Sequence, residues 1–284
     1  MRTYQALLRT GTQGLREAGI EEPAHEVRLM MMAASGLSRT ALISAETDDV
    51  PGDVADRFTD MLRKRQARQP LQHILGTIEF YGLEFVCDER ALIPRPDSEV
   101  VAEAALRLIP EGEAMTIADL GTGTGCLLAA LLANRPNVRG AGIEASPQAA
   151  SLARENLSRL GLEGRASVFE GSWADWPDWQ AADLIISNPP YIASGKIAGL
   201  APEVRTYDPM AALDGGEDGL EAYREIIALA RQNMKPGTWL VFEIGYDQKE
   251  TVSGLLGAAE FTAIGAAKDL GGNDRAVWGR KPEK

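Results

Sequence analysis

The 284-residue chain contains only two cysteines and two histidines. Cys87 and Cys126 lie far apart and belong to no CxxC pair, so neither a zinc ribbon nor a disulfide framework is predicted. His25 and His73 are too few for a histidine metal site. The sequence therefore predicts a protein without a bound metal, in a reducing compartment.

Long apolar runs and excess positive charge are also missing. No stretch approaches the roughly 20 apolar residues of a membrane span, and residues 1–5 do not open an apolar signal segment. We expect a cytoplasmic protein with no membrane partner. The formal net charge of −12 disfavours general binding to nucleic-acid phosphates. The basic run 63–68 is predicted to be a solvated helix face and is the best candidate for contact with something negative.

The first part of the chain has helical periodicity. Apolar residues recur at helical spacing from Tyr4 to Leu15, again after Pro23 as far as Ala34, and again after Pro51. Each of these helices is amphipathic and needs a partner surface. We therefore predict a helical-bundle domain over residues 1–72, with the methionine run 30–32 in its core.

Residues 73–98 are predicted to form a hairpin and a linker. Apolar residues alternate on both sides of Tyr81-Gly82, which is typical of a β-hairpin turn. Pro94 and Pro96 make the following segment extended and stiff. Ser98 is predicted to cap the next helix.

From Met115 onward, strands and helices alternate. This rhythm predicts an α/β domain over residues 99–284, with a mostly parallel sheet covered by helices on both faces and an antiparallel pair at the end of the chain. The predicted strands cover residues 116–120, 138–144, 166–170, 184–187, 239–244, 261–267 and 275–279.

The apolar strand ending at Ser187 runs into Asn188-Pro189-Pro190-Tyr191. Neither proline can continue a strand ladder, so the chain must leave the sheet at a carboxyl edge, where ligands bind in open α/β sheets. The loop offers the Asn188 amide, the carbonyls of Asn188 and Pro189, and the ring of Tyr191. Two acceptors beside a flat wall suit a planar NH2 group.

A glycine turn follows the strand 116–120. Gly121, Gly123 and Gly125 let a ligand approach the backbone closely. The spacing differs from the dinucleotide fingerprint G-x-G-x-x-G, and Asp119 would repel a pyrophosphate but attract an amine. Glu144, at the end of the next strand, can accept both hydroxyls of a ribose. Together these features predict S-adenosylmethionine, a nucleoside with an amino-acid tail.

The chain resembles the PrmC/HemK family of release factor glutamine methyltransferases over nearly its whole length. The resemblance rests on the combination of several motifs, because the glycine turn or Asn-Pro-Pro-Tyr alone fits wider groups of methyltransferases. These motifs are residues 93–99 (Ile-Pro-Arg-Pro-Asp-Ser-Glu), 119–125 (Asp-Leu-Gly-Thr-Gly-Thr-Gly), 188–191, 213–220 and 268–275.

The resemblance implies a class I, Rossmann-like methyltransferase with a seven-stranded sheet. It would methylate the glutamine side-chain nitrogen (N5) in the Gly-Gly-Gln motif of peptide chain release factors, which act in translation termination, and leave S-adenosylhomocysteine as product. The resemblance assigns the cofactor to Asp119, Gly121, Thr122, Gly123, Thr124, Gly125, Glu144, Trp173 and Asn188. Glu144 stands where the family usually has aspartate, and Trp176 or Trp179 could replace Trp173 beside the adenine. Ser98 replaces the more usual threonine.

A mechanism follows from the loop chemistry. Asn188 and Pro189 would accept the two N–H bonds of the substrate amide and hold its nitrogen in line with the methyl–sulfur bond. The same acceptors would stabilise positive charge that develops on nitrogen. Tyr191 would stack on the amide plane, and Pro190 completes the substrate loop. No strong general base is apparent.

Two other methylation substrates and one non-enzymatic function are compatible with the same motifs. An N6-adenine methyltransferase of nucleic acid could use the same loop on a flipped base, although the acidic chain argues against it. A ribosomal-protein glutamine methyltransferase is a second alternative, and residues 95–99 favour the release-factor branch. A binding module that has lost turnover is the third. The front domain is expected to grip the protein substrate.

Overall fold

A computed structural model describes residues 2–283. Eleven α-helices lie in this part of the chain. They are α1 (Tyr4–Glu17), α2 (Pro23–Ser35), α3 (Arg39–Ser44), α4 (Gly52–Gln66), α5 (Leu71–Leu75), α6 (Glu99–Leu108), α7 (Cys126–Asn134), α8 (Pro147–Arg159), α9 (Pro202–Tyr207), α10 (Glu221–Asn233) and α11 (Lys249–Ala258).

The strands form two separate sheets. They are β1 (Thr77–Phe80), β2 (Leu83–Val86), β3 (Thr116–Leu120), β4 (Arg139–Glu144), β5 (Ala166–Glu170), β6 (Leu184–Ser187), β7 (Trp239–Glu243), β8 (Thr262–Lys268) and β9 (Asp274–Arg280).

The chain divides into two compact units. The first contains the residues up to Gly76 together with Ala201–Tyr207, and the second contains Thr77–Leu200 and the residues from Asp208 onward. No pattern in the sequence predicted that residues 201–207, which include α9, would belong to the front unit. These residues interrupt a segment that otherwise belongs to the sheet unit.

Helices α1, α2 and α4 build the core of the first unit. Leu15, Val27, Met30, Met31 and Phe58 are almost completely inaccessible to solvent. The apolar stripes predicted from the sequence meet here, because each amphipathic helix buries its stripe against the others. The methionine run is core at its first two positions, as expected, and Met32 is packed against that core.

The basic run on α4 contains one buried cation. Arg65 is 6% exposed and is paired with Glu26 at 2.5 Å and with Glu203 of α9 at 2.9 Å. Arg68 also contacts Glu203, at 2.8 Å. The prediction of a solvated face is therefore wrong for Arg65, because helix periodicity turns this residue inward where carboxylates from two other segments neutralise it. Arg63 keeps an exposed position.

The second unit is built on a seven-stranded sheet of order β5-β4-β3-β6-β7-β9-β8. Strands β3 to β7 are parallel, whereas β9 is antiparallel to both β7 and β8. This arrangement confirms the predicted α/β class with a mostly parallel sheet and an antiparallel terminal pair. Chain order reverses at β3, which has β4 on one side and β6 on the other.

Both faces of this sheet are covered by helices. Ile117, Leu184, Ile186 and Val241 pack on one face, in the same core cluster as apolar residues of α6 and α7. The alternate positions, among them Ala118, Ile185, Leu240 and Phe242, pack on the other face with α10 and α11. The central strands are therefore apolar at every position because both of their faces are buried.

Strands β1 and β2 form the predicted hairpin, with Tyr81 and Gly82 at positive φ in its turn. The predicted capping by Ser98 is wrong. Ser98 ends a short 3₁₀ turn, Pro96–Ser98, in αR conformation, and its side chain makes no capping bond to α6. Ser146, predicted on the same grounds, does cap α8 by accepting from the Ala149 amide at 3.3 Å.

None of the helices in residues 2–283 has the length and apolar character needed to cross a bilayer.

Candidate functional site

Three loops meet at the carboxyl edge of the sheet. They follow β3, β4 and β6, whose carboxyl ends lie side by side: Leu120 pairs with Ile143, the next-to-last residue of β4, on one side and with Ser187 on the other. The Ser187 hydroxyl also donates to the Leu120 carbonyl at 2.7 Å. Because the strand order reverses at β3, these loops diverge and leave a crevice, as is general for doubly wound sheets.

The crevice is a cavity of about 390 Å³, a size that suits a small molecule. Most of the site residues expected from the sequence line it. These are Asp119, Gly121, Thr122, Gly123, Thr124, Glu144, Trp173, Asn188, Pro189 and Pro190. Gly125 and Tyr191 lie outside the lining: Gly125 is the N-cap residue that precedes α7, in αL conformation, and Tyr191 is described below.

The glycine turn needs its glycines for backbone conformation. Gly121, Gly123 and Gly125 have φ of +72°, +56° and +81°, a backbone region that residues with a Cβ rarely adopt. The Gly121 and Thr122 amides donate to the Ile143 carbonyl, at 2.8 and 3.1 Å. The turn is thus tied to β4 and presents its backbone to the cavity.

Asp119 is a buried acid with one free oxygen. It is 1% exposed, and its Oδ2 accepts a 2.6 Å bond from the Thr122 hydroxyl. Its Oδ1 is buried and has no partner in the described part of the chain. Burial raises the pKa of Asp119 to about 7, since the bond from Thr122 only partly offsets desolvation. A cationic or N–H donor entering the cavity would satisfy this oxygen.

Glu144 joins the glycine turn to the loop after β4. Its Oε2 accepts from the Gly123 amide at 2.9 Å and its Oε1 from the Ser146 amide at 2.9 Å. Each carboxylate oxygen can accept a further bond. Glu144 also lines the cavity.

Of the three neighbouring tryptophans, Trp173 is the one that lines the cavity. Trp176 and Trp179 are 5% and 3% exposed and belong to the core of the second unit. The Trp179 ring nitrogen donates to the Trp173 carbonyl at 3.0 Å, which fixes the backbone that carries the cavity-lining ring.

Asn188 reaches the cavity with its amide free. The residue is half-buried, and its side chain makes no hydrogen bond to another residue in 2–283. Pro189 beside it is buried. The ring of Tyr191 packs against the core of the second unit, and its hydroxyl lies 3.4 Å from Oε1 of Glu243. The stacking of this ring on a bound amide stays a prediction.

Two segments of the wall were not identified from the sequence. One is the linker, which contributes six lining residues between Arg90 and Ser98, and the other is Pro209 with Ala211 and Ala212. Arg95 joins them through a 2.7 Å ion pair with the buried Asp208. Burial raises the pKa of Asp208, although Arg95 opposes the shift. The only sequence feature that could have indicated the linker as part of the cavity wall is its stiff X-Pro pattern.

In residues 2–283 no group of three or more acidic, histidine or cysteine side chains is arranged to hold a metal ion.

Comparison with known families covers both units. Residues 6–76 match the family described as the PrmC N-terminal domain. Residues 99–202 match the family described as the methyltransferase small domain.

Curated relatives align over most of the chain. The release factor glutamine methyltransferase of Geobacter sulfurreducens is 43% identical over 94% of this chain and 92% of its own length. The enzyme of the same name from Cereibacter sphaeroides is 41% identical over 99% of each chain.

A solved structure shares the fold at low sequence identity. It is the catalytic domain of hMettl16 in complex with a MAT2A 3′UTR hairpin, with a TM-score of 0.56, 16% identity, and coverage of 80% of this chain and 81% of that one. This likeness concerns the fold alone. The full-length relatives decide the family: the chain belongs to the release factor glutamine methyltransferases.

Proposed function

We propose that this protein transfers a methyl group from S-adenosylmethionine to the side-chain amide nitrogen (N5) of the glutamine in the Gly-Gly-Gln motif of peptide chain release factors, in the cytoplasm. The observation that carries this proposal is that one cavity is lined both by the glycine turn with Glu144 and by Asn188 with Pro189. Relatives named release factor glutamine methyltransferase support the choice of substrate.

The residues of the cavity fit the proposed cofactor. When bound, S-adenosylmethionine supplies a methyl group on a positively charged sulfur and leaves as S-adenosylhomocysteine. Asp119, with its unpartnered buried oxygen, suits the cationic amine of the methionine part. Glu144 would accept the ribose hydroxyls, and Trp173 would lie against the adenine. The open backbone of the glycine turn would leave room for the methionine part of the cofactor. The transfer needs no metal in this proposal.

Asn188 and Pro189 would position the amide nitrogen. The lone pair of an amide is delocalised into its carbonyl, so the nitrogen is a weak nucleophile and its orientation matters. The Asn188 side-chain oxygen and the Pro189 carbonyl can accept the two N–H bonds. They thereby stabilise the positive charge that nitrogen gains as its C–N bond to methyl forms and the S–C bond breaks. After transfer, the cationic nitrogen gives its extra proton to water, which regenerates the neutral methylated amide.

The front helical unit would bind the body of the release factor, and DNA is not an expected partner. The sequence prediction gave this substrate-recognition role to residues 1–72, with 73–98 as the linking segment and 99–284 as the methyltransferase domain. The match of residues 6–76 to the family described as the PrmC N-terminal domain supports this role. Segment 201–207, which packs in the same unit, would belong to it.

Tritiated S-adenosylmethionine tests the proposal directly. The purified enzyme is incubated with a release factor, with its variant carrying alanine for the Gly-Gly-Gln glutamine, with ribosomal protein, and with adenine-containing DNA. We expect label on the wild-type factor alone, released as N5-methylglutamine after digestion. Label on the alanine variant, on ribosomal protein or on DNA would contradict the proposed acceptor.

A further inference from the structure

Tyr191 is held at its hydroxyl by a buried carboxylate. Glu243, the last residue of β7, is 2% exposed, and its Oε1 lies 3.4 Å from the Tyr191 hydroxyl. Its Oε2 is buried without a hydrogen-bond partner in the described chain. A buried carboxylate favours any donor within reach, and the Tyr191 hydroxyl compensates it together with the Ser98 hydroxyl and the positive charge of Arg275.

The backbone of Tyr191 is held as well. Gln248, at the start of α11, donates from Nε2 to the Tyr191 carbonyl at 3.1 Å and to the Gly219 carbonyl at 3.1 Å. Its Oε1 accepts from the Gly245 amide at 2.9 Å and from the Tyr223 hydroxyl at 3.3 Å. All of its polar groups are occupied, so the side chain is fixed in one orientation.

Sheet register explains why these groups meet. Strand β7 pairs with β6 in parallel, with Phe242 opposite Ser187. The two chains therefore leave the same edge side by side, one as the segment Asn188–Tyr191 and the other as Glu243–Gln248. The second segment lies outside the cavity lining. It contacts the first segment at the Tyr191 hydroxyl, through Glu243, and at the Tyr191 carbonyl, through Gln248.

A third segment packs against the same loop. Ile192 exchanges backbone bonds with Leu213 and Gly215, at 3.0 and 2.9 Å. A Cβ at Gly219, whose φ is +75°, would lie 2.4 Å from the Tyr191 carbonyl oxygen. The motif 213–220, which received no role in the sequence analysis, thus packs tightly against the residues that follow Pro190. Gln248 joins this motif to Tyr191.

We propose that Glu243 and Gln248 are positioning residues for methyl transfer: they hold the hydroxyl and the carbonyl of Tyr191 and so fix Asn188 and Pro189 at the cavity wall. This inference rests on the proposed function for its catalytic consequence. The two residues touch neither the reacting amide nor the cofactor in this proposal. They act through Tyr191, because the Pro189-Pro190 unit that connects it to Asn188 is stiff.

Four variants in the sheet unit test separately the contact of Glu243 with the Tyr191 hydroxyl and the contact of Gln248 with the Tyr191 carbonyl. Gln248→Glu keeps the size and the acceptor for Gly245 but removes both donors. Glu243→Met removes the acceptor at similar size, Glu243→Gln restores an acceptor oxygen, and Tyr191→Phe removes the hydroxyl. Gln180→Glu makes the same chemical change as Gln248→Glu on an exposed turn and serves as the matched control.

Two readouts are measured on each full-length variant. Hydrogen exchange followed by mass spectrometry reports the opening of residues 186–194 without any substrate. Methyl transfer to a purified release factor gives kcat and KM, and calorimetry gives the Kd of S-adenosylmethionine.

We expect faster exchange at 186–194 and a kcat lower by about tenfold or more in Gln248→Glu, Glu243→Met and Tyr191→Phe, with the cofactor Kd within about twofold of wild type. Glu243→Gln should recover most of the turnover lost in Glu243→Met. The double variant Tyr191→Phe/Glu243→Met should lose no more than Glu243→Met alone, because Glu243→Met already removes the contact with the Tyr191 hydroxyl.

Unchanged exchange at 186–194, or unchanged kcat despite faster exchange, would overturn the inference. Additive losses in the double variant would also do so. If wild-type enzyme labels no release factor, the proposed function fails instead, and the exchange data still decide whether Glu243 and Gln248 hold the loop.

Discussion

At the scale of single residues, the site is defined by polar groups whose bonding is incomplete within the protein. Among residues 2–283, Asp119 has a buried oxygen without a partner, and the side-chain amide of Asn188, which lines the cavity, has no hydrogen bond. Buried polar groups are nearly always satisfied in folded proteins, so those left open at a cavity mark the places where a ligand completes the bonding.

We predict that Asn188→Ala lowers kcat by about 100-fold or more while leaving the Kd of S-adenosylmethionine within a few-fold, because the variant loses an acceptor that works on the charged transition state. Rapid-quench transfer of tritiated methyl, with calorimetry for the cofactor, measures both quantities. Asn137→Ala, which removes an exposed amide bonded to the Gly112 carbonyl, is the control and should retain wild-type turnover. Near wild-type turnover in Asn188→Ala would refute the proposal that Asn188 positions the substrate amide nitrogen.

At the scale of secondary-structure elements, α9 is joined to the front unit by charge. Glu203 accepts from Arg65 and Arg68 of the α4 region, and the Tyr207 hydroxyl donates to the Ala67 carbonyl at 3.1 Å. The six-residue helix buries none of its residues fully, so apolar burial alone does not hold it. The ion-paired cluster accounts for its place in this unit.

Arg65→Met is expected to destabilise the front unit by about 3 kcal/mol, because it leaves Glu26 without its buried partner and weakens the attachment of Glu203. Faster hydrogen exchange in α2, α4 and α9 measures the effect. All five tryptophans lie in the sheet unit, so their fluorescence checks that this unit is unchanged.

Arg63→Met on the same helix is the matched control for Arg65→Met. Arg63 and its partner Asp60 are both exposed, so the loss of this pair should cost much less than the loss of the buried Arg65 pairs. Equal effects of the two substitutions would show that burial of Arg65 has no energetic consequence.

At the scale of the whole molecule, the sheet unit carries two carboxyls that favour the protonated state. Burial raises the pKa of both Asp119 and Glu243 to about 7, even though hydroxyl donors and, for Glu243, Arg275 oppose the shift. A folded-state pKa above the unfolded value means that the folded protein binds the proton more tightly. Each group therefore lowers the free energy of unfolding as pH rises through the interval between the two values.

For Asp119 this interval runs from its ordinary pKa of 3.8 to about 7. Without cofactor, we expect Asp119→Asn to gain stability relative to wild type as pH rises from 4 to 8, by up to about 4 kcal/mol. The asparagine oxygen can still accept from Thr122. Urea unfolding followed by tryptophan fluorescence gives this difference at each pH, and a difference that does not change with pH would contradict it.

Local sequence alone determined much of this protein. The apolar periodicities gave α1, α2, α4 and the strands of the large sheet, and Ser146-Pro147 gave the start of α8, because each of these features depends on neighbouring residues. The glycine turn, Glu144 and the Asn188 loop could be placed together from the sequence because the carboxyl ends of parallel strands share one edge.

Only the tertiary structure decided the features that depend on contacts between distant segments. The burial of Arg65 depends on Glu203, 138 positions later in the chain, and the cavity wall at Arg95 depends on Asp208. The contacts of Tyr191 likewise come from Glu243 and Gln248, whose proximity is set by the β6–β7 register. Local propensity carries no information on such pairings, because the folded chain brings their partners together through the arrangement of the sheet and helices.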